Sequence, residues 1–346
     1  MAPASVVFPV PAEPRSTMTV WLSRLVIKSV KTSIACCCSR VGTWPKDCKM
    51  RYFSSSPIII QNYLLPLQAQ RYEKRIIKRM INQEKRRIVI RIGQRHLSFT
   101  SINPQEMANP VCFEPYVLKS GISVAANLRE ALKGADLRGQ GINSVLVLLD
   151  TPVLMVPVEQ FEEAKMGELF DLTFPDRVQE KVMFNVLPDL NVVAVFGMNK
   201  DLSTVINDNF ADVSVMSVMT PVWRHLHRRS FTGVHAKLYG YFHDQKLDIF
   251  AFQQNRFKFC NQFETNRVQD SLYFLLYVWN QMALNAAFDE LHLMGDVPNK
   301  DALETELRKY LKKVYFINPS AEFNQAPATQ VKGMPFDLMI MFAKGR

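Results

Sequence analysis

Between Arg87 and Arg346 the chain carries one order of elements twice, and a duplicated pattern leaves a core few ways to close. In the first half Ile88, Ile90 and Ile92 alternate with Val89 and Arg91, the period of a strand with two different faces. Gly93-Gln94-Arg95 turns the chain, and Leu97 to Ile102 returns antiparallel to the first strand. Val111 to Leu118 is a third strand. Ser123 caps a helix to about Leu132 with Val124, Leu128, Ala131 and Leu132 on one face, and Gly134 closes it. The apolar strand Val145 to Leu149 ends at Asp150. A second one, Val192 to Phe196, ends at Gly197 before a helix containing Leu202 and Ile206.

The second half repeats this order. Lys237 to Phe242, Leu247 to Phe252 and Phe257 to Phe263 are three consecutive antiparallel strands, joined by His243-Asp244-Gln245-Lys246 and Gln253-Gln254-Asn255. Asn266 is expected to cap a long helix to about Phe288, because Val268, Leu272, Leu275, Trp279, Met282 and Ala286 recur every three or four positions. Leu291 to Met294 reads as a short strand, Lys300 to Val314 as an amphipathic helix, and Phe336 to Phe342 as a closing strand.

The expected fold class is therefore α/β with mixed sheets in two lobes. Each lobe has three antiparallel strands followed by helix, strand, helix and strand, the layout of actin-like and ribonuclease-H-like folds. The expected boundaries are a first lobe over 80–222 with an acidic, aromatic insertion near 152–189, a connector over 223–232, and a second lobe over 233–346.

Charge separates the body from what precedes it. Residues 1–79 hold 13 basic and 3 acidic residues, whereas 29 of each remain from Met80 onward, so the formal charge of +10 belongs to the first segment. That segment has one glycine, seven prolines and no sustained amphipathic period. It is expected to be a disordered or non-native extension, with Met50 and Met80 as candidate internal starts. No export signal and no apolar run of membrane-spanning length is visible, which points to the cytoplasm. The basic run Arg71 to Arg87 is expected to be a solvated tail, and Cys36, Cys37 and Cys38 lack the spacing of a metal site. Cys112 and Cys260 lie in strand-like runs and are expected to be buried free thiols.

Three stretches carry a resemblance: Arg87-Ile88-Val89-Ile90-Arg91-Ile92-Gly93, Pro152 to Phe161, and Lys237 to Phe252. Through them the chain resembles the bacterial domain-of-unknown-function family numbered 3822. That likeness implies an actin-like ATPase fold and brings no activity with it.

Actin-like ATPases place a carboxylate and glycines in the first hairpin of each lobe. Glycine lets backbone N–H groups approach phosphate, and the carboxylate positions hydrated Mg²⁺. Here the first turn, Gly93-Gln94-Arg95-His96, keeps one glycine and has no carboxylate. The second, His243-Asp244-Gln245-Lys246, keeps Asp244 and has no glycine. On the adenosine side the nearest match is Gly295-Asp296, although Asp296 and Asn299 also suit helix capping. The candidate site is thus a vestigial nucleotide cleft of Gly93, Gln94, Arg95, His243, Asp244, Gly295 and Asp296, with no catalytic residue and no metal ligand assigned. No cofactor is supported by motif; ATP with Mg²⁺ is the alternative left open.

Trp223 to Arg229 is expected to be a solvated basic connector between lobes, its His225 and His227 lacking a nearby acidic partner. A ribonuclease-H-like nuclease needs several carboxylates at strand ends. Asp150 alone qualifies, and Arg91 stands where the first strand would carry an Asp. The expected function is a non-catalytic interaction or scaffold protein with a protein or peptide partner, and the alternative is an ATPase or kinase of the same superfamily. The body has no strong nucleic-acid signal. Phe161, Phe170, Phe174 and Phe184 among the acidic residues of Pro152 to Asp189 are the expected partner surface, if exposed.

Overall fold

The computed structural model describes residues 87–102, 110–134, 144–177, 179–231, 235–253 and 256–343. The expectations for residues 1–79, the candidate starts Met50 and Met80, the three cysteines and most of the basic run lie outside the described residues.

The first lobe begins with β1 (Arg87–Ile92), β2 (His96–Ile102) and β3 (Val111–Val117), consecutive antiparallel strands. Helix α1 (Val124–Gly134) follows, its start capped by Ser123 Oγ accepting from the Ala126 N–H at 3.2 Å. Strand β4 (Ser144–Leu149) is buried along its whole length and runs parallel to β1. β5 (Val153–Pro157), α2 (Met166–Thr173), β6 (Lys181–Leu187) and β7 (Val192–Met198) come next. Then α3 (Lys200–Asn209), capped by Asn199, leads to β8 (Asp212–Ser217) and α4 (Met219–Ser230).

The second lobe has β9 (Lys237–His243), β10 (Lys246–Gln253), β11 (Arg256–Glu264), α5 (Val268–Gln281), β12 (Glu290–Gly295), α6 (Lys300–Arg308), β13 (Val314–Phe316), the single turn α7 (Pro319–Glu322) and α8 (Phe336–Ala343). The two main sheets have matching strand orders, β3-β2-β1-β4-β8 and β11-β10-β9-β12-β13. In each, three antiparallel strands are followed by two parallel ones, so the duplication expected from the pattern is present.

Four readings are corrected. Val192–Met198 does not continue the first main sheet; it is the middle strand of a separate antiparallel sheet, β5-β7-β6, and the fifth main strand is β8. The long helix ends at Gln281, since Ala283 turns into the left-handed region at φ 52°. It begins after Arg267, whose N–H donates to the Asp270 carboxylate at 3.0 Å, and not at Asn266. The helix from Lys300 stops at Arg308, and Val314 already belongs to β13. Phe336 to Phe342 is helical, because a short run apolar on every side carries no period and its packing against α4 decides its form.

The segment Trp223 to Arg229 is not solvated either. It lies in α4, where Val222, Trp223 and Leu226 are fully buried and His227 packs edge-on to Phe231 and Phe252. His225 faces another way and bonds Glu322 at 2.7 Å. The insertion's rings turn inward: Phe170 is fully buried, with Phe170 beside Phe174 and Phe161 beside Phe184, both pairs at 5.0 Å. With Val193 and Val195 they form a small core, so these aromatics are packing and not a surface. Cys112 is exposed on β3, and Cys260 is half-buried.

Three larger cores result. Ile88, Ile90 and Ile92 pack with Leu128 and Ile206 on the outer face of the first sheet. Leu238, Leu247, Ile249, Leu275 and Leu303 do the same for the second. The opposite faces of β1 and β9 meet in one shared core, with Val89 and Leu148 from the first sheet, Tyr239, Tyr241 and Phe250 from the second, and residues of α4 and α8. No described helix is long and apolar enough to cross a membrane.

Candidate cleft between the lobes

Strand alternation sends Arg91 to the same face of β1 as Val89, into the shared core, where it is 3% exposed. A guanidinium there must be paired. Its Nε donates to both carboxylate oxygens of Asp337 at 3.0 and 3.2 Å, and its Nη1 to Asp244 Oδ2 at 3.0 Å. Asp337 stands in the first turn of α8 and is fully buried. It also accepts from the Tyr241 hydroxyl at 2.9 Å. Arg91 thereby ties the first sheet to a strand turn and a helix of the second lobe.

The β9–β10 turn reaches the cleft with two residues, Asp244 and Gln245, at φ 46° and 61°, the left-handed pair of a tight hairpin. Asp244 leans over the β1–β2 turn. A Cβ on Gly93 would collide with its carboxylate and would stand 3.0 Å from the His96 carbonyl, so the close approach requires glycine there. The other Asp244 oxygen lies 3.3 Å from His96 Nδ1. Gln94 and Arg95 sit exposed at the tip of the first turn.

Behind Asp244 the network continues. His243 Nε2 is 2.7 Å from Asp248 Oδ2, which also accepts from Gln262 at 3.2 Å, and His243 Nδ1 is 3.4 Å from Arg91 Nη2. Lys246 Nζ donates to Asp150 Oδ2 at 3.1 Å, an oxygen 3.7 Å from His243 Nδ1. Asp150 follows β4, its N–H donating to the Ile92 carbonyl at 2.9 Å, and its Oδ1 is buried without a partner.

The electrostatics follow from this geometry. Burial disfavours the Arg91 charge, but Asp337, Tyr241, Asp244 and Asp150 together hold its pKa well above the ordinary value. Burial would also lower the His243 pKa, yet the Asp248 hydrogen bond and the Asp150 charge raise it. For Asp244 burial pushes upward and Arg91 downward, and the net shift is downward. Burial and Asp337 push the Tyr241 phenol up, which keeps it a donor. One oxygen or nitrogen each of Asp150, His243 and Asp244 lies within 4.8 Å of the others, a spacing that suits a divalent cation, although Lys246 and Arg91 crowd the same atoms.

Of the residues singled out from sequence, Gly93, His243 and Asp244 converge. Gly295 and Asp296 lie next to them in the sheet: Gly295 pairs with Phe242, one residue before His243, and the Asp296 N–H donates to the Phe242 carbonyl at 2.9 Å. Gly295 has φ +86°, and a Cβ would strike that carbonyl and the Tyr241 ring. Neither expected cap forms as read: Asn299 sits at the start of α6 without a side-chain hydrogen bond, and Asp296 precedes it. The sequence reading missed Asp337, Tyr241, Lys246 and Asp248. For two of them the signal was present, since Asp248 and Asp337 each interrupt an apolar run.

The family described as Protein of unknown function (DUF3822) matches residues 77–314. Among solved structures, a protein of Bacteroides thetaiotaomicron with an actin-like ATPase fold and unknown function is 28% identical, over 72% of this chain and 97% of its own, with a TM-score of 0.63. The PilM-PilN type IV pilus biogenesis complex matches at 11% identity over 75% of this chain and 98% of its own, with a TM-score of 0.50, a likeness of fold alone. No curated protein sequence matches. The matching strand orders of the two lobes and the meeting of both hairpin turns agree with these likenesses: the chain belongs to the DUF3822 family and has the actin-like ATPase fold.

Proposed function

We propose that the protein works by binding another protein, and that the cleft an actin-like ATPase would offer to phosphate is closed here by the chain's own charges. Asp244 carries this reading. Its carboxylate pairs with Arg91 at 3.0 Å and packs against the backbone of Gly93, so it joins the two turns between which phosphate would enter. ATP with Mg²⁺ fits this arrangement poorly. A triphosphate would bring several negative charges to a layer that holds Asp150, Asp244, Asp248 and Asp337, while both cations there, Arg91 and Lys246, are already paired. A phosphate cradle also needs consecutive free N–H groups on glycine-rich backbone, and the two turns offer one glycine between them. PilM, of the same fold, occurs in complex with PilN, an analogy in favour of a partner-binding role.

A second reading keeps the nucleotide. The Asp150, His243 and Asp244 ligand atoms are spaced for a divalent cation, and Mg²⁺ with ATP would then draw Asp244 off Arg91. Isothermal titration of ATP with Mg²⁺ into the full chain separates the two. The proposal expects no heat of binding; micromolar binding, followed by phosphate release, would replace it with the nucleotide reading.

A further inference from the structure

A groove of about 550 Å³ lies at the tip of the first lobe, between the β1–β2 turn and the loop joining β3 to α1. Among the described residues its lining contains no aspartate or glutamate, whereas Arg95, His96 and Lys119 all contribute to it. Among the described residues Arg95 has no ion pair or side-chain hydrogen bond. Lys119 reaches Glu130, an exposed residue outside the lining. The lining also holds two aliphatic side chains open to water: Val117, 68% exposed at the end of the edge strand β3, where it pairs with His96, and Ile122, 45% exposed.

The groove is also built in advance. Asn127, buried on α1, accepts from the Lys119 N–H at 2.8 Å and donates to the carbonyls of Lys119, Ile122 and Ser123 at 3.1 to 3.3 Å, which stitches the loop into one shape. The Leu118 N–H donates to the Arg95 carbonyl at 3.0 Å and ties the two walls together. Little ordering remains for an occupant to impose.

We propose that this groove docks a short acidic segment of a partner protein, with an aliphatic side chain seated on Val117 and Ile122 and carboxylates on Arg95 and Lys119. The inference rests on the binding role proposed above and supplies the chemistry of its partner. Charge complementarity selects an acidic occupant. The apolar wall of Val117 and Ile122 selects a peptide over a free anion. His96 lines the groove and bonds Asp244, so the occupant sits one residue from the charges that join the lobes.

Selection of a random peptide library displayed on phage against the full chain tests this. The expected consensus is acidic residues beside Leu, Ile or Val, and a synthetic peptide of that consensus is expected to lose about tenfold or more in affinity on R95E or K119E. Thermal unfolding of R95E should match the parent, because Arg95 is exposed, and K119E, which sets a second carboxylate beside Glu130 at the surface, should stay close to it. No enrichment, a basic consensus, affinity unchanged by R95E, or equal competition by inorganic phosphate would overturn the inference. ATP with Mg²⁺ is titrated into the same sample: nucleotide binding followed by phosphate release sinks the function proposed above, whereas silence from both ATP and peptides sinks the docking inference alone.

Discussion

The outer and inner faces of β1 and β9 are filled by different chemistry. Outward, Ile88, Ile90 and Ile92 on one strand and Leu238 and Phe242 on the other pack into apolar cores. Inward, the same strands send Arg91 and Tyr241 into a layer crossed by ion pairs. The outer faces build each lobe by removing apolar surface from water, a force indifferent to exact partners. The inner faces join the lobes through desolvated charges, which cost heavily unless every partner is in place and so select one arrangement.

The sharpest way to break this comparison is Arg91→Ala. It leaves Asp337 and Asp244 without their cation, one fully buried and the other largely so, and is expected to cost about 3–5 kcal/mol in urea denaturation. A loss under about 1 kcal/mol would mean that the inner layer is held by its apolar residues alone. Tyr241→Phe keeps the ring and removes two hydrogen bonds with Asp337, one donated to its carboxylate and one accepted from its N–H, for an expected loss of about 1.5–3 kcal/mol by the same method. Gly93→Ala forces a methyl group onto the Asp244 carboxylate; about 1–3 kcal/mol is expected, and Gly134→Ala, where nothing lies within 4 Å, is the control.

The pH dependence should be the mildest effect. His243 has a raised pKa in the fold, so its contribution is complete below its ordinary value of about 6.5 and is lost as pH rises through the folded value. Asp244 has a lowered pKa, so its contribution is present above about 3.9 and is lost as pH falls through the folded value. Thermal unfolding followed by circular dichroism should show a plateau between these limits. His243→Gln is expected to flatten the alkaline side and leave the acid side in place; an unaltered alkaline side would remove His243 from the charge network between the lobes.

Much of the fold was legible along the chain. Alternation and short apolar runs located nine of the strands, and Ser123 marked the start of α1, because these signals act within a few residues. Where the signal was short or uniform it failed: Phe336 to Phe342 is apolar all round, and its helical form comes from burial against α4. The insertion's phenylalanines could be counted in sequence, but only packing decided that they face inward. The cleft was legible in part for a related reason. Gly93 and Asp244 stand in recognisable turns, whereas Asp337 lies in a run that looked like a strand.

By itself the sequence determined the duplicated order of elements, the near-neutral charge of the body and the scarcity of glycine in the two turns, all properties of neighbouring residues or of composition. Only the tertiary structure decided which charges meet. Arg91 and Asp337 are 246 positions apart, and nothing local couples them; their pairing exists because two sheets turn their inner faces to one buried layer, where a charge without a partner could not stay.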